Sequence, residues 1–270
     1  MSDARLTLAR TDLADARLEG VAAAARYQPT ERFSALAAHA AVRARPDASA
    51  ERVDELLHGE DFEVLAREGD FAFGQARRDG YVGWVEALAL GPPRTPTHRV
   101  SALRAYAFAE PSIKTAAVGP YSLNALVEIV GADGAFLRAA DGTFFSGKHL
   151  APIGVFERDP AAVAERFLGA PYLWGGRTSL GLDCSGLVQQ ALYACGRACP
   201  RDTDLQALLG QTVDVDGLQR GDLVCWKGHI GMMLDAQRLL HANATDMCVA
   251  IEPVADAIAR IGPPTALRRL

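Results

Sequence analysis

The period of the hydrophobic pattern changes about halfway along this chain. From about Ala40 to Leu90 the apolar positions come in short runs: Val42–Pro46, Asp61–Leu65, Phe71–Gln75 and Tyr81–Val85. Gly69-Asp70 and Asp79-Gly80 punctuate them, which is the spacing of a small antiparallel barrel. A stiff linker, Gly91-Pro92-Pro93-Arg94-Thr95-Pro96, follows. A second run, 125–130, 135–138 and 141–145, repeats the strand–turn–strand order weakly and predicts a second barrel. The expected boundaries are an N-terminal arm over 1–33, either mobile or wrapped, barrels over 34–91 and 97–153, and a last domain over 154–270.

That last domain reads helix, helix, then strands. Asp159-Pro160 opens a helix with Val163, Phe167 and Leu168 on one side and Glu165 and Arg166 on the other. A second helix carries Leu187, Val188, Ala191 and Leu192 at helical spacing; Asp183 or Ser185 can cap its start, and Gly196 suits its end. Strands are predicted at Leu223–Trp226, 229–234, 238–242 and 247–252. Helices followed by an antiparallel sheet make this part α+β.

Composition narrows the picture. A 270-residue chain with 49% hydrophobic residues can bury two or three cores. A net charge of −5 without any Lys/Arg cluster disfavours nucleic-acid and anionic-membrane partners. Met1–Arg10 has no basic segment leading into an apolar run, and no stretch approaches a membrane span, so the expected location is cytoplasmic. All five cysteines (184, 195, 199, 225 and 248) fall after residue 180, and their odd number favours reduced thiols over a disulfide framework. Cys195 and Cys199 lack a second ligand pair, so neither a metal nor any other cofactor is expected. His39, His58, His98 and His149 read as structural or solvated.

The chemistry concentrates in three residues. Cys184 falls in the first turn of the second predicted helix, where the helix dipole favours thiolate; the alternative is a buried cysteine beginning a core helix. Downstream, Asp235-Ala236-Gln237 makes a three-residue hairpin loop, so paired positions have an even index sum and His229 and His241 project from one face. One imidazole can take the thiol proton while the other orients it.

Tyr172-Leu173-Trp174-Gly175-Gly176, Asp183-Cys184-Ser185-Gly186, Arg201-Asp202-Thr203, Arg220-Gly221-Asp222-Leu223-Val224, Gly228-His229-Ile230-Gly231 and Leu240-His241 together resemble the NlpC-type bacterial cell-wall peptidases. These are papain-like cysteine enzymes that cut peptidoglycan stem peptides, and the resemblance runs over about 155–270. It implies Cys184 as nucleophile, His229 as general base, His241 as the third polar residue and Tyr172 near the oxyanion, where a packing aromatic is an equal reading. The two β modules resemble bacterial SH3-like domains, the first through Asp79–Val85, the second without an equivalent tryptophan. The implied fold is thus a papain-like cysteine peptidase domain preceded by two small all-β SH3-like barrels.

The same resemblance assigns substrate recognition to Asp183, Ser185, Asp202 and Thr203. A free α-amine needs a carboxylate, and a D-glutamyl α-carboxylate needs hydroxyl or amide donors. Asp183 and Asp202 read equally as helix caps. The expected partner is a murein peptide, L-Ala-γ-D-Glu-diamino acid, cut after γ-D-glutamate during cell-wall recycling. An SH3-like wall over the cleft would restrict entry to short peptides with a free N-terminus, with Glu63, Tyr81 and Glu86 as wall candidates. Two alternatives are a related cysteine amidase or acyltransferase, and a non-catalytic wall-binding protein.

Overall fold

The structure, a computed structural model, describes residues 3–270 and divides into two compact units, Met1–Ile153 and Gly154–Leu270. The first unit is all β. Its first module is a seven-stranded antiparallel sheet in the order Arg52–Leu57, His39–Arg43, Val82–Glu86, Phe71–Ala76, Asp61–Glu68, Glu31–Ala35, Leu90–Gly91. Alternating Val42, Leu56, Phe62, Val64, Ala72 and Val85 fill one face as a core. The opposite face is covered by the N-terminal arm, whose Leu8 and Leu13 pack on Leu65, Phe73 and Trp84. The arm is therefore wrapped. Its apolar side chains bury the aromatic surface that the sheet would otherwise expose.

Residues 97–153 form a three-stranded sheet (Leu126–Val127, His98–Val100, Leu150–Pro152) and a five-stranded sheet (Ala117–Ser122, Arg104–Phe108, Phe144–Ser146, Phe136–Ala139, Ile129–Asp133). They enclose a core of Val100, Ala107, Tyr121, Val127 and Phe145. The single strand expected over 125–130 is broken at Glu128, so that its two halves serve different sheets.

In the second unit α1 (Pro160–Glu165) is N-capped by Asp159, whose Oδ1 accepts from Ala161 N and Ala162 N. Val163 and Phe167 are buried, but Leu168 is 56% exposed. Expectation and structure differ there because the helix tightens: Phe167 N bonds Ala164 O and Leu168 N bonds Glu165 O, three residues back, rotating Leu168 outward. α2 (Cys184–Ala194) is buried along its whole length, and Gly196 beyond it has φ +73°, the left-handed turn that ends such helices. α3 (Thr203–Gln206) is one turn.

The sheet of this unit has six antiparallel strands: Gln211–Thr212, Ala266–Arg269, Leu223–Trp226, His229–Met233, Arg238–Asn243 and Cys248–Pro253. α4 (Val254–Ile261) covers Leu218, Val224, Trp226, Met233 and Leu239 through Ala257 and Ile258. α2 packs on the His229–Met233 and Arg238–Asn243 strands, which carries its first turn to the start of the former.

Candidate active site

Asp183 organises the turn that presents Cys184. It is the N-cap of α2, with Oδ1 accepting from Gly186 N at 2.8 Å. The same carboxylate accepts from Gly175 N (2.9 Å), Ser185 Oγ (3.1 Å), Arg201 Nη1 (3.0 Å) and Arg201 Nη2 (2.5 Å). Arg201 is buried with it and also donates to Ser185 Oγ at 2.6 Å. Loop and helix approach so closely that a Cβ on Gly186 would lie 2.3 Å from Gly176 O. Any other residue there would push the loop off the helix start.

Cys184 sits beneath this turn, 4% exposed. Burial pushes its thiol up to about 12, and the neighbouring Asp183 carboxylate adds to the rise. The backbone N–H groups of Ile230 and Ser185 and the charge of Arg201 act the other way without overcoming it. The lowered thiol pKa expected from the helix dipole is thus reversed: the dipole is a modest term, and desolvation of a thiolate at a buried position is larger. The Ile230 contact places the sulfur next to the residue that follows His229.

The histidines meet as the hairpin register requires. Met232 pairs with Leu240 and Met233 with Leu239, an even index sum, so 229 and 241 share a face. His229 Nε2 lies 2.8 Å from His241 Nδ1. Gly231 makes room for this: a Cβ there would stand 3.1 Å from His241 Cβ and 2.8 Å from Leu239 Cδ1. Burial pushes His229 down to about 4, helped by His241 and Arg260; burial and Arg260 push His241 down to about 4 as well. Burial thus opposes charge on the thiol and on both imidazoles alike.

Tyr172 is partly buried on the loop before α2, where its backbone N–H bonds Met247 O at 2.8 Å. Its hydroxyl pKa is raised by burial and by the nearness of Cys184 and Asp183, so it is a neutral donor beside the thiol. Ser185 belongs to the Asp183–Arg201 network. Asp202 is the N-cap residue of α3, but its side chain makes no capping bond; Thr203 is the first residue of that helix. Both follow Arg201 in the chain, and so stand near the turn it clamps. Among the wall candidates, Glu63 pairs with Arg17 and Arg77, Tyr81 is buried, and Glu86 is exposed. Sequence reasoning missed two features. One is the clamp of Arg201 on Asp183, whose only signal in the sequence is the place of Arg201 in the Arg201-Asp202-Thr203 motif. The other is the polar group behind His241, formed by Asn243 and Glu252. Among the described residues no group of three or more His, Cys, Asp or Glu is arranged to hold a metal ion. Among the same residues no helix is long and apolar enough to cross a membrane.

Residues 169–260 match the NlpC/P60 family, and residues 42–90 match the bacterial dipeptidyl-peptidase SH3 domain. A gamma-D-glutamyl-L-lysine dipeptidyl-peptidase of Bacillus cereus is 27% identical over 74% of this chain and 70% of its own length. Dipeptidyl-peptidase 6 of Lysinibacillus sphaericus is 25% identical over 74% of this chain and 83% of its own. The crystal structure of an NlpC/P60 family protein from Bacillus cereus superposes with a TM-score of 0.78 at 20% identity, covering 88% of this chain and 99% of the other. The last comparison speaks to the fold alone.

Proposed function

We propose that this chain, a cysteine peptidase with an NlpC/P60 domain behind a bacterial dipeptidyl-peptidase SH3 domain, hydrolyses murein stem peptides between γ-D-glutamate and a diamino acid. The observation that carries the reading is the His229–His241 contact beside a thiol at a helix start. In this reading Cys184 Sγ attacks the scissile carbonyl carbon as its proton passes to His229. The C–N bond breaks, the amine leaves with the proton from His229, and water hydrolyses the thioester to regenerate the thiol. The Cys184 backbone N–H and the Tyr172 hydroxyl stabilise the oxyanion.

Relatives named dipeptidyl-peptidases support release of a dipeptide from a free N-terminus. Such a terminus exists on a stem peptide only after its bond to the glycan is cut, which fits recycling rather than attack on intact wall. In this reading Asp202 holds the free amine and Thr203 supplies a hydroxyl toward the D-glutamyl carboxylate, while Ser185, whose hydroxyl donates to Asp183 and accepts from Arg201, acts by holding the turn beside it. Asp183 is spent on Arg201 and three further donors, so its part is to position the nucleophile's turn. The 97–153 module serves as a second SH3-like domain in this reading. The test is a mass-spectrometric digest of L-Ala-γ-D-Glu-diaminopimelate against its N-acetylated and muramyl-linked forms. Cleavage of the free peptide at the glutamyl bond is expected, with kcat/KM at least about a hundredfold lower for blocked forms, at 1.4 kcal/mol per tenfold. Equal rates would favour a wall-remodelling enzyme, and no cleavage a different acyl substrate.

A further inference from the structure

The strand carrying His241 runs on to Asn243, whose buried side chain bonds back to the turn 244–247 leading into the Cys248–Pro253 strand. Its Oδ1 accepts from Asp246 N–H at 2.7 Å. Its Nδ2 donates to Asp246 Oδ2 at 2.9 Å and lies 3.1 Å from His241 Nε2. The turn itself is exposed and ends in Met247, whose φ of +53° falls in the left-handed region that a residue with a β-carbon rarely adopts. The Met247 side chain is 59% exposed, so packing does not impose that conformation. The bonds between Asn243 and Asp246 do, and Arg260 Nη1 adds a brace at Thr245 Oγ1 (3.1 Å).

What this constrained residue presents is its carbonyl. Met247 O accepts from Tyr172 N at 2.8 Å. Two further bonds, Gly169 N to Val249 O (2.9 Å) and Val249 N to Ala170 O (2.8 Å), lay residues 169–172 along the edge of the same strand. The other edge of this segment meets the approach to the nucleophile. Leu182 N donates to Pro171 O at 3.1 Å and Leu173 N to Leu182 O at 3.0 Å, with Asp183 and Cys184 next in the chain. Residues 169–173 therefore form a splint between the hairpin of His241 and the helix start of Cys184, with Tyr172 inside it. Both edges of the splint are backbone bonds, and the Asn243 side chain joins it to the histidines.

We propose that Asn243 is a positioning residue of the reaction: by fixing the 244–247 turn it aims the Met247 carbonyl at the Tyr172 backbone, and so sets where the Tyr172 hydroxyl stands relative to Cys184. The proposal rests on reading Tyr172 as a donor to the oxyanion. Such a donor works only if it is already aimed at the oxygen as charge develops, and a misplacement of about 1 Å costs up to a hundredfold. Asn243 acts through the turn and not on the substrate, so its loss should fall on kcat and spare KM.

Amide hydrogen exchange of the full chain reads the splint without any substrate. In Asn243→Ala the Tyr172 N–H should exchange about tenfold faster or more, with the amides of Leu187–Leu192 in α2 within about twofold of wild type. On the L-Ala-γ-D-Glu-diaminopimelate tripeptide, the same variant should lose about ten- to a hundredfold in kcat with KM within about twofold. Asp246→Ala, which leaves Asn243 in place but frees its amide, should move both readouts the same way. Asp246→Asn, whose amide oxygen still accepts, should restore them. Tyr172→Phe separates positioning from mere support: with the hydroxyl already gone, Asn243→Ala should cost less than about threefold more in kcat. Fully additive losses overturn the proposal, as does unchanged Tyr172 exchange in a folded Asn243→Ala protein. If that variant does not fold, Asp246→Ala, at an exposed position, decides by the same two criteria. If the wild type fails to cut the tripeptide, the proposed function falls, while Tyr172 exchange still decides whether Asn243 holds the segment.

Discussion

Arg201→Met removes one side of an ion pair that is almost wholly out of water, with side chains 1% and 7% exposed. The Asp183 carboxylate would keep Gly175 N, Gly186 N and Ser185 Oγ but lose both guanidinium bonds. Breaking a buried pair by deleting one partner costs about 3–5 kcal/mol, because the surviving charge stays desolvated. The three remaining donors offset part of that, so about 3 kcal/mol is expected, equivalent to roughly a hundredfold at 1.4 kcal/mol per tenfold. Amide hydrogen exchange over Cys184–Ala194 and His229–Met233 is the assay, read where exchange tracks the opening equilibrium. Those segments should exchange roughly a hundredfold faster in the variant. Adding Asp183→Asn should recover a good part of the loss, since it removes the stranded charge. Protection within threefold of wild type in Arg201→Met would refute the clamp. A double variant no better than the single would refute the stranded charge as its origin.

Cys184→Ala should abolish turnover with the protein folded, while Cys195→Ala, in the C-cap of α2, keeps full activity; residual turnover in the former would unseat the nucleophile. With the thiol pushed up to about 12, iodoacetamide should modify Cys184 slowly at pH 7 and about tenfold faster per pH unit through pH 9, tracking the thiolate fraction. Fast modification independent of pH between 6 and 8 would instead reveal a standing ion pair. His229 and His241 have folded pKa values of about 4 against roughly 6.5 unfolded, so the unfolded chain takes up protons first. The histidines' contribution to stability is thus complete above about pH 6.5 and is lost as pH falls toward 4, which melting curves at pH 7.5, 5.5 and 4.5 should follow and His229→Asn/His241→Asn should flatten. Gly231→Ala should lower kcat by about tenfold or more, a small misplacement of a catalytic group being that costly, because its methyl would press on Leu239 Cδ1 and His241 Cβ; unchanged kcat would show that the contact relaxes freely.

What the sequence made legible is local. The cap at Asp183, the helix over Leu187–Leu192 and the glycine after it obey rules spanning a few residues, and the hairpin register follows from loop length alone. Arg52–Leu57 escaped notice as a strand because Asp-Glu-Leu-Leu reads as helical, and only pairing with His39–Arg43 and burial of Asp54 and Glu55 override it. Leu168 was misplaced because a helix that tightens in its last turn breaks the period on which the inference rests. The Arg201 clamp and Glu252 were out of reach for another reason. Each depends on where a side chain lands after loops or strands have paired, eighteen positions apart in the first case and eleven in the second.

The electrostatics of the site favour charge on the substrate over charge on the enzyme. Burial opposes a thiolate at Cys184 and an imidazolium at His229 alike, so an ion pair at rest would bear both penalties. During attack the negative charge leaves sulfur for the carbonyl oxygen, where N–H groups of the first turn of α2 and a neutral Tyr172 hydroxyl can meet it. The helix dipole, too weak to ionise the buried thiol, then acts on an oxyanion within its first turn. In the proposed reaction the positive charge moves at the same moment onto His229, whose Nε2 lies 2.8 Å from His241 Nδ1. Interactions that strengthen only as charge develops lower the barrier without stabilising the resting enzyme. On this account a Tyr172→Phe variant should lower kcat while leaving the slow, pH-dependent alkylation of Cys184 unchanged, because the hydroxyl serves the oxyanion and not the thiol. A variant that instead speeds or slows alkylation would place Tyr172 in control of the sulfur and undo the assignment.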